Sequence, residues 1–144
     1  MPDVNKSALV SYSAQKIYGL VDRVEAYPEF LPWCGGTNVE LRTQNMTRAE
    51  VRIDYHGIRQ SFKTQNETTP YSLIHMRLVS GPFKHLEGYW RFHALAQDAC
   101  KIEFRLHYEF SSRILEKLVG PVFSYIANSF VDAFLARAEK LYGR

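Results

Sequence analysis

Hydrophobic and polar residues alternate through the middle of this 144-residue chain, and the period of the alternation identifies the elements. From residue 37 to residue 110 the period is two, as in strands with one dry face and one wet face. Val39 and Leu41 alternate with Glu40 and Arg42, and Ala49, Val51, Ile53 and Tyr55 with Glu50, Arg52 and Asp54. Ile58 and Phe62 alternate with Arg59 and Lys63, and Ile74, Met76 and Leu78 with His75 and Arg77. The two clearest runs follow. In one, Leu86, Gly88, Trp90, Phe92 and Ala94 alternate with Glu87, Tyr89, Arg91 and His93. In the other, Cys100, Ile102, Phe104, Leu106, Tyr108 and Phe110 alternate with Lys101, Glu103, Arg105, His107 and Glu109. His56-Gly57, Thr69-Pro70, Gly81-Pro82 and Gln97-Asp98 punctuate the runs. Short connections of this kind predict an antiparallel meander.

The two ends read differently. Ala8, Val10 and Tyr12 alternate with Ser7, Leu9 and Ser11, which predicts a first strand. Ser13 is placed to cap a helix over about residues 14–24, with Ile17, Leu20, Val21 and Val24 on its apolar face. Near the C-terminus, Ile114, Leu115, Leu118 and Val119 begin a helical pattern that Gly120-Pro121 interrupts, by a kink or by a restart. Phe123, Ile126, Ala127, Phe130, Phe134, Ala138 and Leu141 then fall on one stripe, predicting a long amphipathic helix over about residues 121–142.

Between the first helix and the sheet lies Tyr27-Pro28-Glu29-Phe30-Leu31-Pro32-Trp33-Cys34. Pro32 has no backbone N–H, and Pro28 biases Tyr27 away from helical dihedrals. The segment therefore reads as a short, irregular, very apolar connection that either plugs the core or borders the mouth of a cavity. Gly35-Gly36 reads as a flexible turn after it. One long apolar helix must cover one apolar sheet face. The predicted class is α+β: a curved antiparallel sheet wrapped around the C-terminal helix, with an internal hydrophobic cavity between them.

Composition narrows the picture. A chain of this length reads as one domain, residues 1–144, burying roughly 70% of its unfolded surface without staples. Hydrophobic residues make up 46% and aromatics 14%, a supply of large flat side chains that suits thick cores and apolar pockets. The net charge of +3 fits a weak attraction to RNA or anionic lipid without requiring either. Cys34 and Cys100 form no disulfide framework, and no signal-peptide pattern or apolar run of ~20 residues is present, so a cytoplasmic protein is expected.

Motifs that carry chemistry are mostly absent from the sequence. There is no phosphate-binding glycine loop, nucleophile elbow or His/Cys spacing for a metal, so neither a catalytic nor a metal site is expected. Glu40, Glu50, Asp54, Glu87, Glu103 and Glu109 sit on the wet face, where pairing across strands with Arg42, Arg52, Arg91 and Arg105 accounts for them. The same basic face could contact phosphate backbones, although acids interrupt it and Tyr89 is the clearest outward aromatic. Facing inward are Tyr55, Phe62, Met76, Trp90, Phe92, Phe104, Tyr108, Phe123, Phe130 and Phe134. They read individually as core and together as the lining of an elongated apolar pocket, with Tyr27, Phe30, Leu31 and Trp33 over its entrance. Such a pocket suits a lipid or prenyl chain.

Tyr27 to Cys34, Gly81-Pro82-Phe83-Lys84-His85-Leu86-Glu87-Gly88-Tyr89-Trp90-Arg91-Phe92, Cys100 to Phe104, and Phe130 to Phe134 with Arg137-Ala138 carry a resemblance over nearly the whole chain. The sequence resembles the START-like superfamily of helix-grip proteins and, within it, the coenzyme Q-binding family, whose members include a bacterial ribosome association toxin. The resemblance implies a non-catalytic carrier or chaperone for ubiquinone or a similar polyisoprenoid in respiration, with no required cofactor. It also implies Pro82 and Phe83 in a mobile loop at the pocket mouth, and Leu86, Trp90 and Phe92 in its wall. The gate version of this reading puts Trp33 and Phe83 beside the same opening. Two other roles follow from relatives: a toxin-like inhibitor of ribosomal subunit association that binds the large subunit, and a polyketide cyclase-like enzyme. For the last, the sequence offers no carboxylate–His arrangement. A carrier would also make transient contact with the inner membrane surface.

Overall fold

A computed structural model describes residues 3–143. Seven strands form one antiparallel sheet in the order β1-β7-β6-β5-β4-β3-β2, with β1 (Asp3–Val10) and β2 (Cys34–Thr43) at its edges. The meander runs through β3 (Met46–Tyr55), β4 (Ile58–Thr69), β5 (Leu73–Ser80), β6 (Phe83–Ala96) and β7 (Ala99–Phe110). The β3–β4 hairpin turns on His56 and Gly57, both at positive φ (51° and 81°), and pairs Tyr55 with Ile58, the two-residue connection that matches strand twist. One inward row runs through Ala49, Ile53, Ile74, Leu86, Trp90, Ile102 and Phe104, all buried.

Helix α1 (Ala14–Asp22) follows β1, and the Lys16 N–H donates to the Ser13 side-chain oxygen at 3.1 Å, the predicted cap. The helix is shorter than expected. It stops at Asp22, and a 3₁₀ helix takes over from Val24 to Glu29. Tyr27 and Pro28 therefore lie in a regular element, and only residues 30–33 are irregular. A 3₁₀ turn suits the sequence because its bonds are local and its runs short, so it tolerates a missing donor at Pro28. Gly35 and Gly36 correct a second expectation, since they form the start of β2 rather than a free turn. A side chain at Gly36 would collide with the Arg52 guanidinium, which lies across it from β3.

The last helix, α2 (Arg113–Tyr142), is 30 residues and about 45 Å long. The Leu115 N–H donates to the Ser112 side-chain oxygen at its start, at 3.2 Å. It does not break at Gly120-Pro121. Pro121 is on the solvent side, so the carbonyl one turn earlier, on exposed Lys117, faces water instead of losing its partner in the core. By length and composition α2 could cross a bilayer, but here it is the core helix: Val119, Phe123, Ile126, Ala127, Val131, Phe134 and Ala138 are buried under the sheet. It packs along β1 and β7, less on β4, and least on β2, β3, β5 and β6.

The wet face also differs from expectation. Of Arg42, Arg52, Arg91 and Arg105, only Arg42 is in an ion pair among the described residues, and its partner is Glu25 of the 3₁₀ helix, not a neighbouring strand. Strand-to-strand pairs are instead made by Lys63 with Glu40, Arg59 with Asp54, and Arg77 with Glu67 and Glu87. His75, His93 and His107 point outward as expected, toward Glu87, Glu103 and Asp3 respectively.

Candidate functional site

Where α2 covers the sheet sparsely, an apolar cavity of about 70 Å³ remains. Eight residues expected at the ligand line it: Tyr27, Trp33, Phe62, Met76, Leu86, Phe104, Phe123 and Phe130. The 3₁₀ helix brings Tyr27 to it, and β3 to β7 supply the wall. Helix α2 forms the roof with Phe123, Ile126, Ala127 and Phe130. The Tyr27 ring is fixed by its hydroxyl, which donates to the Val21 carbonyl at 2.5 Å, and burial pushes that hydroxyl's pKa far above the usual phenol range.

The other nine expected residues lie off the cavity. Trp90 and Phe134 form solid core, with ring centroids 5.4 Å apart and Trp90 also 4.6 Å from Phe104. Leu31 is buried, and Phe30 is half-buried with the Arg137 guanidinium 5.1 Å above its ring. Phe92 packs on Tyr18 of α1, at 5.5 Å. Tyr55 is at the end of β3, half-buried at the edge of the core, and stacks at 5.7 Å on exposed Tyr125. Phe83 and Tyr108 are packed with Phe110 around Phe123, near the start of α2. Pro82 is buried, and its carbonyl accepts hydrogen bonds from the Ser111 N–H and hydroxyl at 2.9 and 3.1 Å, so the loop is tied to the end of β7. The Trp33 and Phe83 segments do come to the same end of the sheet, because β2 starts there, as does β6. Both rings are nonetheless shut away from solvent, at 3% and 5% exposure, and only Trp33 reaches the cavity.

One side of the lining is polar and is not apparent from hydrophobic alternation alone. Phe62, Thr64 and Asn66 are successive inward positions on β4, and all three line the cavity. Thr47, the cross-strand partner of Asn66, is 2% exposed. The Asn66 side-chain oxygen is buried and has no hydrogen-bond partner among the described residues. Such a group costs about 1–3 kcal/mol. The signal was parity: Thr64 and Asn66 keep the period of Phe62, but a polar residue on a strand is readily taken as wet.

About 70 Å³ is well short of the roughly 300–1,000 Å³ of sites that hold drug-sized ligands. A prenylated molecule therefore fits only if α2 and the sheet part, and α2 packs less on β4 and on the middle strands than on β1 and β7.

A curved antiparallel sheet gripping a long C-terminal helix over an apolar cavity is the START-like helix-grip fold. The chain belongs to the polyketide cyclase/dehydrase and lipid transport family, whose model matches residues 10–135. It is 44% identical over 142 residues to the persistence and stress-resistance toxin PasT of Escherichia coli CFT073, covering 99% of this chain and 90% of that protein. It is 43% identical, with the same coverage, to the ribosome association toxin RatA of Escherichia coli K12. Over 146 residues it is 27% identical to the mitochondrial coenzyme Q-binding protein COQ10 homolog B of Xenopus laevis, covering 99% of this chain and 60% of that one. Among solved structures, the Zhui aromatase/cyclase of a Streptomyces species superposes with a TM-score of 0.83 at 15% identity, covering 96% and 94% of the two chains. A START superfamily protein of Mycobacterium smegmatis superposes with a TM-score of 0.76 at 22% identity, covering 96% and 98%. At those identities the likeness concerns the fold.

Proposed function

We propose that this protein is a non-catalytic carrier for an isoprenoid quinone or a similar polyisoprenoid, held between the sheet and α2. The observation that carries the reading is the apolar cavity under α2, lined by aromatic and aliphatic side chains with a single polar side. The relative named for coenzyme Q binding supports the same ligand class. Such a carrier works from the cytoplasm and meets the inner membrane surface only to load and unload. The test is organic extraction of the purified protein followed by mass spectrometry, together with titration of its tryptophan fluorescence with a short-chain ubiquinone. A quinone in the extract and saturable quenching are expected; a clean extract with no quenching overturns the reading.

A second role, association with the large ribosomal subunit, is favoured by 43% identity over 142 residues to a protein named for ribosome association. Arg52, Arg91 and Arg105 leave a basic outer face outside the ion pairs found among the described residues, and the Arg91 guanidinium lies 4.7 Å from the Tyr89 ring centre. Sedimentation of lysate with tagged protein at low salt checks it, because phosphate-driven binding is strongest there. Absence from the large-subunit fractions under those conditions rules it out. The two roles use opposite faces of the sheet and are compatible.

A further inference from the structure

The cavity is chemically two-ended along β4. At one end is the Phe62 ring, 6.1 Å from Phe123 and 5.9 Å from Phe83. Two inward positions further on is the Asn66 carboxamide, with the Thr64 hydroxyl between them. The strand rise of about 3.3 Å per residue separates the two ends by about 13 Å. Asn66 faces Met76 across β5 and Thr47 across β3, and its buried oxygen is unpartnered. An apolar side chain of similar size at this position would remove an unsatisfied group and pack against Met76. The free protein thus gives up stability to keep an unpaired acceptor on a residue that lines an apolar space.

We propose that Asn66, assisted by Thr64, is the head-group station of the cavity, and that its ligand is an apolar molecule ending in a hydroxyl. This rests on the reading of the cavity as a ligand site. The hydroxyl follows from donor and acceptor count. An alcohol or quinol O–H donates to the free Asn66 oxygen, and its own oxygen accepts from the Asn66 amide or the Thr64 hydroxyl. A quinone carbonyl only accepts, so it leaves the Asn66 oxygen unpaired. A hydrocarbon satisfies neither group. The tail then runs past Phe62 toward Phe123, under α2.

The experiment compares three probes on the wild-type protein and on Asn66→Leu: a short-chain ubiquinol kept reduced, the corresponding ubiquinone, and squalene as a hydrocarbon without a head group. Affinity is read by quenching or by competition with a fluorescent lipid, and ligand-free stability by urea denaturation. Wild-type protein is expected to prefer the quinol to the quinone. In Asn66→Leu the quinol should bind about ten-fold more weakly, the factor that one hydrogen bond of about 1.4 kcal/mol carries, with squalene unchanged and ligand-free stability raised. Thr64→Val, which keeps the β-branched shape, is a second variant that should weaken quinol binding in the same direction. If wild type binds all three probes and neither substitution alters their order, Asn66 holds only water and the head-group assignment falls while the carrier reading stands. If wild type binds none of the three, the carrier reading falls and takes this assignment with it.

Discussion

Trp33 meets Phe130 of α2 with ring centroids 6.0 Å apart and planes tilted by 50°. That contact ends the irregular stretch after the 3₁₀ helix and lays it against the middle of the long helix. Both rings line the cavity, so Trp33 senses whatever enters it. Trp90 is as deeply buried, but Phe104 and Phe130, at 4.6 and 5.7 Å, stand between it and the space. Single-tryptophan proteins should separate the two. With Trp90→Phe the remaining Trp33 emission is expected to be quenched more strongly by a short-chain ubiquinone than the Trp90 emission left by Trp33→Phe. Equal quenching in the two proteins would place the ligand elsewhere.

Filling the cavity from its roof should separate ligand binding from folding. Ala127 lines the space from α2 and is 2% exposed. Ala127→Leu adds three carbons at about 0.8 kcal/mol of burial each, up to about 2 kcal/mol if all of them are accommodated, and keeps helix propensity high. The expected outcome is unchanged or higher stability in urea denaturation and loss of quinone-dependent quenching. A large loss of stability would mean that the space is already closed at Ala127.

The fold was legible in this chain because period and punctuation agree. The β6 and β7 alternation, the Gly57 and Gly81 breaks and the α2 stripe each point to one arrangement, and that arrangement forms. Local chemistry that depends on a neighbour was less legible. Gly36 read as a turn because nothing in its sequence announces that Arg52 will lie over it. Pro121 read as an interruption because its consequence depends on which side of α2 faces water. Within the site, parity identified which side chains face inward but could not divide cavity wall from solid core: Trp90 and Phe104 are adjacent, yet only Phe104 lines the space. That division is set by where α2 sits on the curved sheet, a property of the assembled layers rather than of any one strand. Asn66 went unread for the opposite reason, since a polar residue on an inward position contradicts the rule used to find the interior.

Tyr27 secures the 3₁₀ helix to α1 through a hydrogen bond that apolar surroundings strengthen. Its hydroxyl donates to the Val21 carbonyl at 2.5 Å, and its ring contacts Phe30, Phe130 and Phe134 at 5.4 to 6.2 Å. Tyr27→Phe keeps the ring but leaves the Val21 carbonyl unpaired, at an expected cost of about 1–2 kcal/mol in urea denaturation. Because burial drives its pKa far upward, Tyr27 should also remain protonated in alkaline solution as long as the protein stays folded. Ultraviolet titration of wild type against Tyr27→Phe should therefore give the same phenolate absorbance up to the pH at which the protein unfolds. A smaller absorbance in the variant would show that Tyr27 is accessible.

Arg42, at the far end of β2, clasps the same 3₁₀ segment from outside, and the clasp should be pH-dependent. Its guanidinium donates to both Glu25 carboxylate oxygens, at 2.6 and 3.1 Å, and to the Asp22 carbonyl at 3.1 Å. The hydrogen bonds from Arg42 hold the Glu25 carboxyl below its ordinary pKa, whereas burial raises that of Asp22 despite the opposing charge of Arg42. The two carboxyls then contribute with opposite signs. Glu25 binds its proton less readily when folded, so its contribution is fully present above its unfolded pKa and is lost as pH falls through the folded value. Asp22 binds its proton more readily when folded, so its charge costs stability at neutral pH and the cost disappears on acidification. Glu25→Gln is expected to lose about 0.5–1 kcal/mol at neutral pH, the range of a half-exposed pair, with the difference from wild type shrinking below about pH 4. Asp22→Asn should be more stable than wild type at neutral pH and converge with it in acid. Urea denaturation of the three proteins at neutral pH and near pH 3 checks both signs, and a Glu25→Gln deficit that persists unchanged in acid would show that the clasp acts through packing rather than charge.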